Sequence, residues 1–216
     1  MNQSTKSILL WGAVILGIVA MVWGLASLGS GDGSATTTLN NGITDIDHVD
    51  GPRDAKVVLV EYSDFQCPAC SAMYPIVKQL AEAFPNDLAV IYRHYPLRSI
   101  HGNAQLSAQA AEAAARQASF WEMHGVLFNT QSQWSNLQDP TDFFVSLASS
   151  IGLDTEQFKT ELTSKEVENV VNNSYDEASR MRISGTPTFF LNGESIQNPG
   201  SYTAFKALIQ SAIDAQ

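Results

Sequence analysis

Two cysteines separated by two residues are the side chains of this sequence best suited to redox chemistry. Cys67 and Cys70 form a Cys-Pro-Ala-Cys motif, and the 216-residue chain contains no other cysteine. A scaffold stabilised by disulfides would need more cysteines at wider spacing, because a useful cross-link closes a long loop. We therefore predict that the two thiols are reactive groups and that they form a redox-active disulfide, Cys67–Cys70.

The position of the motif indicates how the two thiols would divide the work. Residues 56–62 read as a buried strand, and a helix is predicted to begin near Cys67. Unpaired N–H groups and the helix dipole would favour the thiolate of Cys67, which makes it the nucleophile. Pro68 suits the first helical position, where no N–H is needed. Cys70, one turn along, could then attack a mixed disulfide at Cys67 and release the substrate.

The alternatives for this pair are half of a zinc site or two inert core thiols. Zinc usually takes four ligands, and the sequence has no second Cys-x-x-Cys motif. The remaining candidate ligands have no familiar spacing: His48, His94, His101 and His124. No metal and no cofactor are therefore predicted. A metal-binding or chaperone module that uses the thiols without turnover stays open as an alternative.

The elements that must position the motif follow an α/β order. Residues 88–92 predict a second buried strand, parallel to the first and separated from it by one helix. Residues 103–173 contain no convincing strand and predict several helices, and a further helix is predicted to begin at Ser164. A hairpin around Asn192-Gly193 and a final amphipathic helix capped by Ser201 complete the domain.

The N-terminal part of the chain predicts a membrane anchor. Residues 7–28 carry no charge and are long enough to cross the ~30 Å hydrocarbon core of a bilayer. Lys6 precedes this segment, so residues 1–6 are predicted to be a cytoplasmic tail. Residues 29–45 are predicted to be a flexible linker, and residues 46–216 a catalytic domain on the periplasmic or extracytoplasmic side of the cell membrane. A cleaved signal peptide is the competing interpretation.

The charge balance excludes one class of function. The chain has 12 Lys plus Arg against 22 Asp plus Glu, for a formal net charge of −10. Such a charge repels phosphate backbones and provides no basic face for them. No nucleic-acid partner is predicted.

Several segments together resemble the DsbA-like branch of the thioredoxin superfamily. Residues 60–70, VEYSDFQCPAC, are similar to the family's strand-to-active-site segment, and Pro75 lies where the family's active-site helix carries a proline. Residues 93–97 and 120–124 resemble parts of its helical insertion, and residues 185–188, GTPT, resemble its loop with a cis proline. The resemblance implies a thioredoxin-like α/β fold with an inserted all-helical domain at about 99–173.

The resemblance also implies roles for individual residues. Thr186 and Pro187 would bind an extended substrate segment beside Cys67. Glu61, six residues before Cys67, would be a buried acid that handles the proton of Cys70 through water. Ala69 occupies the position at which many strong oxidants of the family carry a histidine, which predicts a less oxidising pair.

The implied activity is thiol–disulfide exchange, most simply disulfide formation in cysteine-containing secreted or envelope proteins. An oxidase must itself be re-oxidised, and the resemblance implies a membrane redox partner that is DsbB-like or VKOR-like. A membrane-tethered reductase or isomerase would use the same residues and is the main alternative.

Overall fold

The structure is a computed structural model that describes Leu16, Gly17, Met21, Leu39 and residues 42–216. The predicted tail, all but three residues of the predicted anchor and most of the predicted linker lie outside the described residues. No helix in the described part of the chain is long and apolar enough to cross a membrane. The described residues from Leu39 onward belong to one structural unit.

A five-stranded mixed sheet forms the centre of this unit. Its strands have the spatial order β1-β3-β2-β4-β5, with β2 and β3 parallel and all other neighbours antiparallel. The strands are β1 His48–Asp50, β2 Val57–Ser63, β3 Leu88–His94, β4 Thr188–Leu191 and β5 Glu194–Ile196. The predicted parallel pair and the hairpin at Asn192-Gly193 are both present. Strand β1 was not predicted, because three residues are too short to show an alternating pattern.

The helices are arranged around this sheet as the resemblance implied. Helix α1, Pro68–Ala83, connects β2 to β3, and α8, Tyr202–Asp214, ends the fold. Six helices lie between β3 and β4 in the described chain: α2 Ala104–Ala115, α3 Phe120–Asn129, α4 Gln131–Trp134, α5 Thr141–Ser150, α6 Thr155–Leu162 and α7 Lys165–Arg180. The helical stretch thus reaches Arg180. The thioredoxin-like α/β fold predicted from the sequence is confirmed.

The two faces of the sheet are covered by different elements because side chains alternate along each strand. Leu59 and Val90 are cross-strand partners on the face that packs against α1 and α8. Val60 and Tyr62 lie on the opposite face with Ala178 of α7. Leu39, from the predicted linker, is buried on this second face, and its N–H donates to the carbonyl of Gly193 at 2.7 Å.

Candidate active site

The two thiols lie at the start of α1, directly after the central strand β2. Cys67 is the N-cap residue with extended backbone angles (φ −71°, ψ 122°), and Pro68 is the first helical residue. The N-cap position of Cys67 places its sulfur next to the first N–H groups of the helix, those of Ala69 and Cys70. Cys67 is 7% exposed, whereas Cys70 is fully buried, and both are free thiols. Of the two sulfur-bearing side chains, only that of Cys67 retains some contact with solvent.

The local environment pushes the acidities of the two thiols apart. A hydrogen bond with the Cys70 side chain is the main cause that lowers the pKa of Cys67 from 9.0 to about 5. Thr186 and the backbone N–H groups of Ala69 and Cys70 lower it further, while burial opposes them. Burial raises the pKa of Cys70 far above its ordinary value, and its hydrogen bond to Cys67 adds to this. Near neutral pH the pair is thus one thiolate, Cys67, and one thiol, Cys70.

The loop before β4 lies against Cys67, the predicted nucleophile. The Thr186–Pro187 peptide bond is cis. The Thr186 carbonyl oxygen lies 3.4 Å from the Cys67 sulfur and accepts a hydrogen bond from it when Cys67 is protonated. Asn198 donates to the carbonyl of Pro187 at 2.7 Å, which holds the loop from its other side.

Glu61 is in the sheet, two residues before the end of β2. It is 4% exposed, and its Oε1 atom has no hydrogen-bond partner in the described chain. Burial is the largest cause that raises its pKa from 4.5 to about 7, with a smaller contribution from the charge of Cys67 and an opposing one from Ser63. The charge of Glu61 in turn raises the pKa of Cys70. The predicted buried acid is therefore close enough to act electrostatically on the resolving thiol.

The turn that carries Cys67 is held by side chains that the sequence analysis did not identify. Gln131 of α4 donates its amide to the carbonyls of Phe65 and Cys67, at 2.7 and 3.0 Å. Gln66 donates to the carbonyl of Ser135 at 2.7 Å and accepts from the N–H of Asn103 at 2.6 Å. Amide side chains therefore hydrogen-bond the turn before α1 to the helical insertion. These residues have no recognisable spacing in the sequence.

A buried carboxyl group also links the insertion to the sheet. The Oε1 atom of Glu112, in α2, is hydrogen-bonded to the Nε2 atoms of both His48 and His94, each at 2.8 Å. Burial raises its pKa, but these hydrogen bonds and the charges of the two histidines outweigh it and lower the pKa to about 2. His94 thus joins strand β3 to the helical insertion. Among residues 42–216 and the few described before them, no group of three or more His, Cys, Asp or Glu side chains is arranged to hold a metal ion.

Comparisons with known proteins identify the family. A family model described as "Thioredoxin" matches residues 44–211. Two curated relatives are named Na(+)/H(+) antiporter NhaA 3 of Salinispora tropica, 39% identical over 168 residues, and Na(+)/H(+) antiporter NhaA 1 of Salinispora arenicola, 40% identical over 170 residues. Each match covers 78% of this chain but only 25% of the relative, so the chain spans about a quarter of their length.

These findings correct the predicted location. The N-terminal sequence predicts a single-pass protein of the cell membrane with its N-terminus in the cytoplasm. The curated relatives are instead named as Na(+)/H(+) antiporters, which does not support a single-pass protein of this kind. The single-pass location is therefore wrong.

Solved structures show the same fold. The oxidised BdbD of Bacillus subtilis has a TM-score of 0.69 and 26% identity, covering 78% of this chain and 93% of its own. A thioredoxin-like oxidoreductase from Silicibacter pomeroyi has a TM-score of 0.63 and 25% identity, covering 78% and 91%. The α-DsbA1 of Wolbachia pipientis, at 19% identity, shares the fold with a TM-score of 0.71 over 80% of this chain and 94% of its own. The chain therefore belongs to the thioredoxin family, whose model matches it over most of its length.

Proposed function

We propose that this protein forms disulfides in cysteine-containing proteins by passing them the Cys67–Cys70 disulfide. The observation that carries the proposal is the contrast between the two thiols, a thiolate at Cys67 with a pKa of about 5 and a buried, protonated Cys70. Whatever stabilises the thiolate of the reduced enzyme makes its disulfide easier to reduce. An enzyme disulfide that is easily reduced is a good oxidant of substrate thiols.

The reaction proceeds in two exchange steps. A substrate thiolate attacks Sγ of Cys67, a substrate–Cys67 disulfide forms, and the Cys67–Cys70 bond breaks with its electron pair on Cys70. A second substrate thiolate then attacks the substrate sulfur of the mixed disulfide, and Cys67 leaves as a thiolate. The substrate loses two electrons and the enzyme gains them. One proton must reach Cys70, because its burial disfavours the thiolate.

Glu61 is the proposed source of that proton. With a pKa of about 7 it is part acid and part carboxylate near neutral pH, so it can give a proton to Cys70 in one direction and take it in the other. Thr186 and Pro187 are the proposed substrate-binding residues. The Thr186 carbonyl, 3.4 Å from the Cys67 sulfur, can accept a backbone N–H from an extended substrate segment once that segment is bonded to Cys67.

The proposed partners follow from the chemistry. Each turnover leaves Cys67 and Cys70 reduced, so an electron acceptor must restore the disulfide, and we propose a DsbB-like or VKOR-like membrane protein for this role. Substrates would be cysteine-containing proteins outside the reducing cytosol, where a newly formed disulfide persists. Both assignments rest on the resemblance and on redox balance.

The reduction potential of the pair in the full chain, equilibrated against glutathione, tests the direction of exchange. The Cys67 pKa of about 5 lies between the values of ~7 for thioredoxin and ~3.5 for DsbA. A potential nearer to ~−120 mV than to ~−270 mV is expected and would support the oxidase. A potential near ~−270 mV would refute it and favour the reductase, in line with the less oxidising pair that Ala69 predicts. A Cys70→Ala variant, which cannot form the internal disulfide, provides the baseline.

A further inference from the structure

A cavity of about 170 Å³ separates the catalytic helix from the helical insertion. Glu61 lines it from β2, and His124 and Trp121 line it from α3. Tyr74 of α1 closes one side, where it packs against α3 at Gly125; a Cβ atom on that glycine would lie 3.1 Å from the Tyr74 hydroxyl. The cavity thus belongs to the interface between the thioredoxin-like part and the insertion.

Two buried polar side chains line this cavity. Glu61 is 4% and His124 is 7% exposed. Glu61 Oε1 and His124 Nε2 both lack a hydrogen-bond partner among the described residues. Buried polar atoms of this kind are normally satisfied by internal water, and at ~30 Å³ per molecule the cavity has room for about five waters. Water can therefore connect the two side chains.

His124 is held in its neutral form by its surroundings. The centroid of its ring lies within 5.5 Å of the centroids of five aromatic rings, those of Phe65, Tyr74, Tyr92, Trp121 and Phe128. Burial is the main cause that lowers its pKa to about 3, and the charges of His94 and His48 add to this. A neutral imidazole has one N–H donor and one acceptor nitrogen, so it can order a chain of water without binding a proton itself.

The other end of the cavity is open to solvent beside two charged residues. Asp50 of β1 and Lys78 of α1 line it there, and both are exposed. Asp50 and Val90 are cross-strand partners, and Val90 is paired with Leu59, two residues before Glu61 on the same face of the sheet. Burial raises the pKa of Asp50, the charge of Glu82 adds to this, and Lys78 opposes both. A carboxyl group with a raised pKa is suited to exchange protons with solvent.

We propose that this cavity is the proton path of the exchange reaction, in which His124 orders water between Glu61 and the opening at Asp50 and Lys78. The inference rests on the proposed role of Glu61. When the Cys67–Cys70 bond breaks, Glu61 gives its proton to the Cys70 sulfur, and the resulting carboxylate takes one proton back from solvent through the water chain. His124 is a positioning residue, since it acts through that water. The other titratable groups that face Glu61 are Cys67, Cys70 and Tyr92.

The test is the single-turnover reduction of the Cys67–Cys70 disulfide by dithiothreitol in the full chain, measured from pH 6 to pH 9. His124→Phe keeps a ring of similar size and removes both nitrogens, whereas His124→Gln keeps a polar group. We expect His124→Phe to slow the step by about tenfold or more, below the ~10²–10⁴-fold typical of a direct acid–base residue. His124→Gln should recover much of the rate. Asp50→Asn should slow the step above pH 7, and the exposed Asp54→Asn is the matched control for its charge change.

The alkylation profile of Cys67 separates a proton path from a general structural effect. In both His124 variants the pKa of Cys67 should stay at about 5. Rates equal to wild type in His124→Phe, or equal losses in both variants together with a displaced Cys67 profile, would overturn the inference and leave the proposed function intact. A wild-type protein that is not reduced faster than a simple disulfide would overturn the proposed function and the proton path together.

Discussion

Replacing Glu61 with glutamine removes a buried carboxyl group whose cost to stability can be worked out from its pKa. The folded protein raises that pKa from 4.5 to about 7, chiefly by burial. The folded state therefore holds the proton more tightly than the unfolded chain does between these two values. The stability associated with the protonated carboxyl is fully present below pH 4.5 and is lost as the pH rises through about 7.

The loss should amount to about 3 kcal/mol, at ~1.4 kcal/mol for each pH unit between the two pKa values. Glutamine carries no charge at any pH and has nearly the same shape. We therefore expect Glu61→Gln to gain about 3 kcal/mol over the wild type between pH 4.5 and pH 8. The gain should be smaller in the oxidised protein, since the thiolate charge of Cys67 is then absent, but burial, the larger cause, should preserve most of it.

Urea unfolding of the reduced protein at pH 4.5, 6 and 8 measures this difference directly, because all other titrating groups cancel between wild type and variant. Glu122→Gln makes the same chemical change at an exposed position of α3 and serves as the control. The reasoning would be refuted if the stabilities of Glu61→Gln and wild type ran parallel from pH 4.5 to pH 8 within ~0.5 kcal/mol, the range of an ordinary surface substitution.

Three further substitutions test other parts of the site. Glu112→Gln should destabilise the protein by about 3 kcal/mol at pH 7, because the folded protein lowers the pKa of the Glu112 carboxyl from 4.5 to about 2. The stabilisation by the carboxylate is present above pH 4.5 and is lost as the pH falls toward 2. Equal urea midpoints for variant and wild type at pH 7 would contradict this. Gln131→Leu leaves two backbone carbonyls without their donor and should cost about 1–3 kcal/mol in urea unfolding, whereas no loss would show that water replaces the amide. Cys70→Ala removes the main cause of the low pKa of Cys67, so the midpoint of its alkylation profile should rise above about 5; an unchanged midpoint would transfer that role to the helix N-terminus.

The order of elements and the identity of the reactive residues could be predicted from the sequence because they depend on neighbours in the chain. An apolar run predicts β2, and Asn192-Gly193 predicts the hairpin. Cys67 at the helix N-terminus already indicates a reactive thiol, since the N–H groups that act on it belong to the next few residues. Strand β1 could not be predicted in this way, because its three residues are too few to show a pattern and are held by pairing with β3.

The tertiary structure decided what surrounds those residues. His124 and Glu61 are 63 positions apart in sequence and line one cavity, and Gln131 reaches a carbonyl 64 positions earlier in the chain. Leu39, in a segment whose composition predicted a flexible linker, is buried against the sheet. Burial and pKa depend on which distant segments exclude water from a side chain, and no local pattern records that. The sequence by itself determined which atoms can react, and the burial produced by distant segments decided the pKa values of Glu61, Cys70 and His124.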